Sequence, residues 1–132
     1  FRSYSMTIMN ENDTSREIKE EIKKSFPSSS KIEKKYIIEI NTDQTLEPLI
    51  TNTDGTIAKY RIEIIINYKV KDKNKDSHLV EDMVRGFAQY TVETSEIESN
   101  DKKNRMIRTA TNSAIQMMIS KIQSDTSIIN DN

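Results

Sequence analysis

At 132 residues and 15.3 kDa, the chain has room for one domain with a single core and none for a second. Only 34% of the residues are apolar, and the net charge of -1 comes from interspersed acids and bases, so we expect a thin two-layer core and no global attraction to nucleic acid or to an anionic membrane. The absence of cysteine excludes disulfides, thiol catalysis and the common structural zinc sites.

The first predicted elements are a short strand and a helix. Residues Ser3 to Met9 alternate in polarity, which is typical of a strand. Thr14-Ser15-Arg16-Glu17 has the form of a capping box, with Thr14 as the residue that caps the helix start. The apolar residues of the helix recur every four positions, at Ile18, Ile22 and Phe26. Pro27 and the serines after it are expected to end the helix.

A second strand is predicted at Tyr36 to Ile40, and Asn41 to Gln44 is predicted to be a turn. The segment Leu46 to Thr51 contains Pro48, which cannot donate to a strand ladder and therefore indicates a sheet edge or an extended connection. Thr53-Asp54-Gly55 is a hairpin turn signal, because glycine tolerates a positive φ.

The most regular alternation of the chain runs from Thr56 to Val70. Every second residue from Ala58 to Val70 is apolar or aromatic, whereas the intervening positions are mostly charged or polar. A strand of this length spans roughly 50 Å, enough to pair with two neighbours. We therefore expect a sheet that is covered by helices on one face and open on the other.

Polar residues from Lys71 to His78 predict a loop, and Leu79 to Val92 predicts the hairpin partner of the central strand, with a bulge or bend at Gly86. A long helix is predicted from about Asn100 to Gln123, and residues 125–132 are expected to fray. Its predicted buried stripe comprises Ile107, Ala110, Ala114, Ile115, Met118 and Ile122. The acidic residues Glu96, Glu98 and Asp101 suit the positive end of its dipole.

These elements predict one α+β domain over residues 1–132, a two-layer sandwich with two helices on one face of a four-stranded, mostly antiparallel sheet. The order is β-α-β-β-β-α, without an internal repeat. No apolar run approaches the roughly 20 residues that a membrane-spanning helix needs.

The residues that carry chemistry do not assemble into a recognisable active site. His78 is the one histidine and lies in a polar segment, where a solvated loop residue is the simplest interpretation. The chain has two glycines, which leaves no phosphate-binding glycine-rich loop. The sequence therefore predicts a protein without enzymatic activity, cofactor or metal.

A basic strip with apolar neighbours is predicted on the open face of the two central strands. Its members are Lys59, Arg61, Lys69 and Arg85, with Met83 and Phe87 beside them. Arginine binds phosphate through two parallel hydrogen bonds and lysine acts as a point charge, so the strip would suit an amphiphilic anion. Two plainer interpretations remain open: a solvated charged surface, and a small apolar cluster of Met83 and Phe87 under Leu46 to Ile50.

The central segment resembles the lipopolysaccharide-assembly outer-membrane lipoproteins, the LptE family, in their alphaproteobacterial form. The likeness rests on Ile57 to Ile64 continuing through Tyr68 to Asp72, on Ala88-Gln89-Tyr90-Thr91-Val92, and on the spacing of Met106, Ala110 and Ala114 in the last helix. It covers roughly Tyr4 to Ile122. The sequence departs from the family pattern at Lys59, Thr91 and Ile97, and the lipid-carrying cysteine is missing.

The resemblance implies a non-catalytic lipoprotein on the periplasmic side of the outer membrane, anchored by an N-terminal lipid that this chain lacks. It implies two partners, lipopolysaccharide and a β-barrel translocon that the domain plugs and helps to assemble, and no nucleic acid. The alternatives are a small anion-binding or nucleic-acid-binding module and an enzyme with a pocket between sheet and helices. Steep salt dependence of binding would mark nucleic acid.

Overall fold

The structure is a computed structural model that describes residues 4–26, 35–75 and 77–125. It confirms the predicted α+β sandwich and its order β-α-β-β-β-α. The elements are β1 (Tyr4–Ile8), α1 (Arg16–Ser25), β2 (Tyr36–Thr51), β3 (Ile57–Asp72), β4 (His78–Thr91) and α2 (Glu96–Ser124). Pro27 and residues 126–132, for which the sequence predicted a helix end and a frayed tail, lie outside the described residues.

The four strands lie in the order β1-β2-β3-β4. β1 is parallel to β2 because α1 carries the chain back across the sheet between them, whereas β2, β3 and β4 pair antiparallel through hairpins. β3 is central and pairs with both neighbours over nearly its whole length, as its alternation predicted. Gly55, at φ 89°, forms the predicted turn between β2 and β3.

Both helices pack on the face formed by the even-numbered residues of β2, β3 and β4. This burial removes the apolar stripes of sheet and helices from water, which is the main driving force for folding. The fully or almost fully buried core comprises Ile18, Ile22, Tyr36, Ile38, Ile40, Ile62, Ile64, Ile66, Tyr68, Val70, Val84, Tyr90, Ile107, Ala110, Ala114, Ile115, Met118 and Ile122. The predicted stripe of α2 is therefore confirmed residue by residue.

Gly86 lies in a regular stretch of β4 opposite Ile64, so the predicted bulge or bend is wrong. The glycine is needed for packing: a Cβ at this position would lie 1.9 Å from the carbonyl oxygen of Ala110 and 2.8 Å from the amide nitrogen of Ala114. Glycine and the two alanines let the backbones of β4 and α2 approach closely.

The predicted turn at Asn41 to Gln44 is also wrong, because β2 continues straight through it. Thr42 is buried, and its hydroxyl lies 2.7 Å from the hydroxyl of Thr14. The side chain of Asn10 donates to the carbonyl oxygen of Thr42 at 2.7 Å and accepts from its amide at 3.0 Å. These contacts satisfy the polar groups that made the segment resemble a turn.

Two other boundaries differ from the prediction. Ser15, not Thr14, is the N-cap of α1, and its hydroxyl accepts from the amide of Ile18 at 3.4 Å, because the Thr14 hydroxyl is bonded to Asn10 and Thr42. The predicted loop after Lys71 is shorter than expected, since β4 begins at His78.

Candidate functional site

The six residues of the predicted strip all lie on β3 and β4, at the odd-numbered positions opposite the helix layer. They are Lys59, Arg61 and Lys69 on β3 and Met83, Arg85 and Phe87 on β4. Phe87 is 45% exposed and Met83 36% exposed. Leu46 to Ile50 belongs to β2 and does not cover Phe87 or Met83, so the alternative of a small apolar cluster beneath that segment is wrong.

Carboxylates of neighbouring strands face most of the cations of this strip. Arg61 bonds Glu47 across to β2 at 2.5 Å. Arg85 lies 3.4 Å from Glu63. These cross-strand pairs balance the charge of the open face, which gives no support to nucleic acid as a ligand.

Lys69 is paired more loosely, with its ammonium 4.0 Å from Glu81. Lys59 differs from the other three cations, because no described residue forms an ion pair with it. Its charge is therefore available to an external anion.

The strip is too long for one small site. Lys59 and Lys69 are ten positions apart on one strand, about 33 Å at the usual rise. Arg61 and Phe87 form one local group, with the guanidinium carbon 5.2 Å from the centroid of the ring, a cation-π geometry. Lys69 and Met83 form another group toward the opposite end. The structure thus separates the predicted residues into two regions.

His78 is the first residue of β4 and not a loop residue as the sequence suggested. Its Nε2 lies 3.5 Å from one carboxylate oxygen of Glu39, and the Lys71 ammonium lies 3.4 Å from the other. Within residues 4–26, 35–75 and 77–125 no cluster of three or more His, Cys, Asp or Glu side chains could hold a metal ion.

An apolar surface at the hairpin end was not identified from the sequence. α1 has ten residues and extends about 15 Å, whereas β2 has 16 residues and extends about 53 Å, so the far part of β2 runs beyond this helix. The exposed apolar residues at this end of the molecule come from both faces of the sheet and from the start of α2, and we call them the hairpin-end surface: Leu46, Leu49, Ile50, Val92 and Ile97. Ile50 is 51% and Ile97 75% exposed. Comparing helix and strand lengths is the signal that could have found it.

A hollow of about 400 Å³ lies beside this surface, between the end of β4 and the first turns of α2. It is lined by Lys59, Gln89, Tyr90, Thr91, Lys102, Arg105 and Met106. Lys102 bonds Glu93, which lowers the pKa of that carboxyl, and it also donates to the hydroxyl of Thr91 at 3.2 Å. Arg105 is exposed and has no ion-pair partner among the described residues.

The fold defined by this sheet and its two helices is shared with several bacterial lipoproteins of known structure. A lipoprotein from Caulobacter crescentus CB15 has a TM-score of 0.67 at 8% identity, over 89% of this chain and 85% of that one. The minor lipoprotein of Acinetobacter baumannii has a TM-score of 0.60 at 12% identity, over 92% and 90%. Rare lipoprotein B of Shewanella oneidensis has a TM-score of 0.55 at 12% identity, over 89% and 94%. At sequence identities this low, the likeness shows a common fold and nothing more.

Neither models of known protein families nor curated protein sequences give a match to this chain. Neither helix in the described part of the chain combines the length and the apolar character that crossing a bilayer requires.

Proposed function

We propose that this chain is the periplasmic domain of a bacterial outer-membrane lipoprotein that serves lipopolysaccharide transport and assembly without catalysing a reaction. The observation that carries the proposal is the fold, which three bacterial lipoproteins share over 85–94% of their own length. The resemblance of the β3 and β4 sequences to the LptE family adds the lipopolysaccharide role.

The hairpin end supplies the chemistry that lipopolysaccharide requires. Lipid A carries phosphates next to acyl chains, so a site for it needs cations beside apolar surface. Lys59 and Arg61 lie near the uncovered residues Leu49 and Ile50, and Lys59 pairs with Ile50 in the strand register. The opposite end of the strip offers Lys69 beside Met83 and Met9, but there the lysine faces the carboxylate of Glu81, whereas Lys59 has no ion-pair partner among the described residues. We therefore assign the lipid-binding region to the hairpin end.

The proposal includes two attachments. A lipid anchor on a segment before Phe1 would hold the domain at the periplasmic face of the outer membrane. A β-barrel lipopolysaccharide translocon would receive the domain as a plug and depend on it for assembly. The coding sequence upstream of Phe1 tests the anchor: we expect a signal segment that ends in a small residue and cysteine, and a cytoplasmic start would refute the lipoprotein assignment.

The binding test is a titration of lipopolysaccharide into wild type and into the double variant Lys59→Glu with Arg61→Glu. We expect the double variant to bind more weakly while keeping its fold, because neither side chain belongs to the buried core. Far-UV circular dichroism and thermal unfolding check the fold.

The matched control is the double variant Lys69→Glu with Lys71→Glu. It makes the same change of charge on the same face of β3, and like Arg61 both of its lysines are paired with carboxylates. We expect this control to bind nearly as wild type does. Equal binding by wild type and both folded variants would remove the strip from the lipid site, and a wild type that does not bind lipopolysaccharide would refute the ligand.

A further inference from the structure

The free edge of β2 is obstructed at Thr42, Gln44 and Pro48. The side chain of Asn10 is hydrogen-bonded to both the carbonyl and the amide of Thr42, so these two groups point away from β3. We call backbone groups that point away from the neighbouring strand outward groups. Outward groups recur at every second residue of an antiparallel strand, so those of Gln44, Leu46 and Pro48 face the same edge. The Asp43 carboxylate accepts from the Gln44 amide at 2.9 Å, and Pro48 has no N–H to offer. Such features are how natural sheets prevent pairing at an edge.

The free edge of β4 is obstructed at Met83. At Met83 the outward amide donates to the Asp82 carboxylate at 2.8 Å, and the outward carbonyl accepts from the Lys121 ammonium at 3.4 Å. The next outward groups belong to Arg85, Phe87 and Gln89. In the described part of the chain no backbone or side-chain group bonds to them, and β4 is the last strand of the sheet. This is an open stretch of sheet edge.

The flank of α2 beside this edge is cationic. α2 runs antiparallel to β4, since Lys121 reaches Met83 and Lys102 reaches Thr91. The helical positions on that flank are Lys102, Arg105, Met106, Thr109, Ser113, Met117 and Lys121. They include three cations, of which Lys102 is paired with Glu93 and Lys121 with Asp82, so that among the described residues Arg105 carries the unpaired charge of the flank. An extended segment added to β4 would place alternate side chains against this flank.

We infer that the edge of β4 from Arg85 to Gln89 binds an extended acidic segment of a partner protein by strand addition. Main-chain hydrogen bonds to the outward groups would supply affinity, and a carboxylate of the segment would meet Arg105, which has no ion-pair partner among the described residues. The other side chains of the segment would lie on the open face next to Phe87, which favours apolar or β-branched residues there. The inference rests on the edge and its charges and not on the proposed lipopolysaccharide role.

A second copy of this chain fits the edge poorly. Two β4 strands paired about a twofold axis at Phe87 would bring the two α2 flanks together on one side of the joined sheet. The Arg105 guanidinium of each copy, which is unpaired among the described residues, would lie on that side, so like charges would approach each other. The pairing would also place Thr91 opposite the Met83 of the other copy, whose outward groups are already bonded.

The test uses the whole chain and a capped peptide with the sequence Thr-Glu-Val-Glu-Val-Glu-Thr. Its controls are a peptide of the same composition without alternation, Glu-Glu-Glu-Val-Val-Thr-Thr, and one in which lysine replaces each glutamate. Binding is followed by amide chemical shifts and by hydrogen exchange. We expect the alternating acidic peptide alone to protect the amides of Arg85, Phe87 and Gln89.

Two variants separate the contributions of backbone and charge. Gln89→Pro removes an outward N–H without breaking a bond to β3, and Gln89→Ala controls for the lost side chain. Arg105→Glu reverses a charge on the flank, and Lys23→Glu makes the same change on the exposed surface of α1. We expect Gln89→Pro and Arg105→Glu each to raise the Kd of the peptide at least about fivefold and both controls to leave it within about twofold.

Three results would overturn the inference. Equal binding of the block peptide would mean that charge acts without strand addition. Protection at the edge of β2, or no effect of Gln89→Pro in a variant with normal thermal unfolding, would place the peptide elsewhere. Protection of the Phe87 amide that grows with protein concentration in the absence of peptide would identify a second copy as the occupant.

Discussion

Replacing Gly86 by alanine tests the close approach of β4 and α2. The new Cβ would lie 1.9 Å from the carbonyl oxygen of Ala110, whereas an ordinary contact needs at least 3.4 Å, so α2 must move by about 1.5 Å. The obstacle is helix backbone and cannot rotate away. Overpacking of this kind costs about 1–3 kcal/mol, and the shift also opens gaps around Ala114. We expect a loss of about 3 kcal/mol, or about 10 °C in Tm for a chain of this size.

The measurement is urea unfolding followed by far-UV circular dichroism, with Gly55→Ala as the control. Gly55 has a φ of 89°, and no atom lies within 4 Å of the position that its Cβ would take, so alanine there costs only the backbone strain of about 1–2 kcal/mol. Alanine in a strand is otherwise better than glycine by about 0.5–1 kcal/mol, which works against the expected loss at Gly86. A loss for Gly86→Ala no larger than that for Gly55→Ala would refute the steric argument.

Ile64→Ala should cost about 2–5 kcal/mol in equilibrium unfolding because it empties a fully buried position, whereas Ile65→Ala on the open face should cost clearly less; equal losses would contradict the assignment of the faces. Asn10→Ala should cost about 1–3 kcal/mol in urea unfolding, since it leaves both outward backbone groups of Thr42 without their partner. Burial raises the pKa of Tyr68 from 10 to about 12, so the folded state favours the neutral phenol; its stabilising effect is complete below pH 10 and is lost as the pH rises toward 12. The Tm should therefore fall less steeply between pH 9 and pH 12 for Tyr68→Phe than for wild type. Parallel curves of Tm against pH would contradict the raised pKa of Tyr68.

Much of the fold is predictable from the sequence because the spacing of apolar residues within each segment indicates whether that segment forms a strand or a helix. The inner face of β3 is apolar or aromatic at every second residue, and the buried stripe of α2 follows helical spacing, so both were predicted almost residue by residue. The Asp54-Gly55 signal likewise predicts the hairpin between β2 and β3. In each case the structure that the segment prefers locally is also the structure that it adopts in the fold.

The errors arise where distant residues determine local structure. Asn41 to Gln44 has turn-like composition, but Thr42 is bonded to Asn10 and Thr14, which are 32 and 28 positions away in the sequence. Gly86 suggested a bulge because the alternative cause, a helix backbone arriving from α2, is not visible in the strand sequence.

The ion pairs of the candidate strip also depend on residues that are distant in the sequence. Alternation placed Lys59, Arg61 and Phe87 correctly on the open face, but the carboxylate facing each cation depends on strand register. Register decided that Arg61 is paired and Lys59 is not.

Several groups that lack partners among the described residues lie near one another at one end of the molecule, and this favours a binding function for its surface. Among the described residues every buried side-chain nitrogen and oxygen has a hydrogen-bond partner, so the interior holds no unsatisfied polar group. Lys59, Arg105, the hairpin-end surface and the open edge of β4 all lie around the junction of β4 with α2. Because none of them supports the core, their replacement should change binding far more than stability. An amphiphile held at the hairpin end and a strand added to β4 would therefore occupy adjacent surfaces, so that the lipid and peptide titrations can be run in competition on one protein.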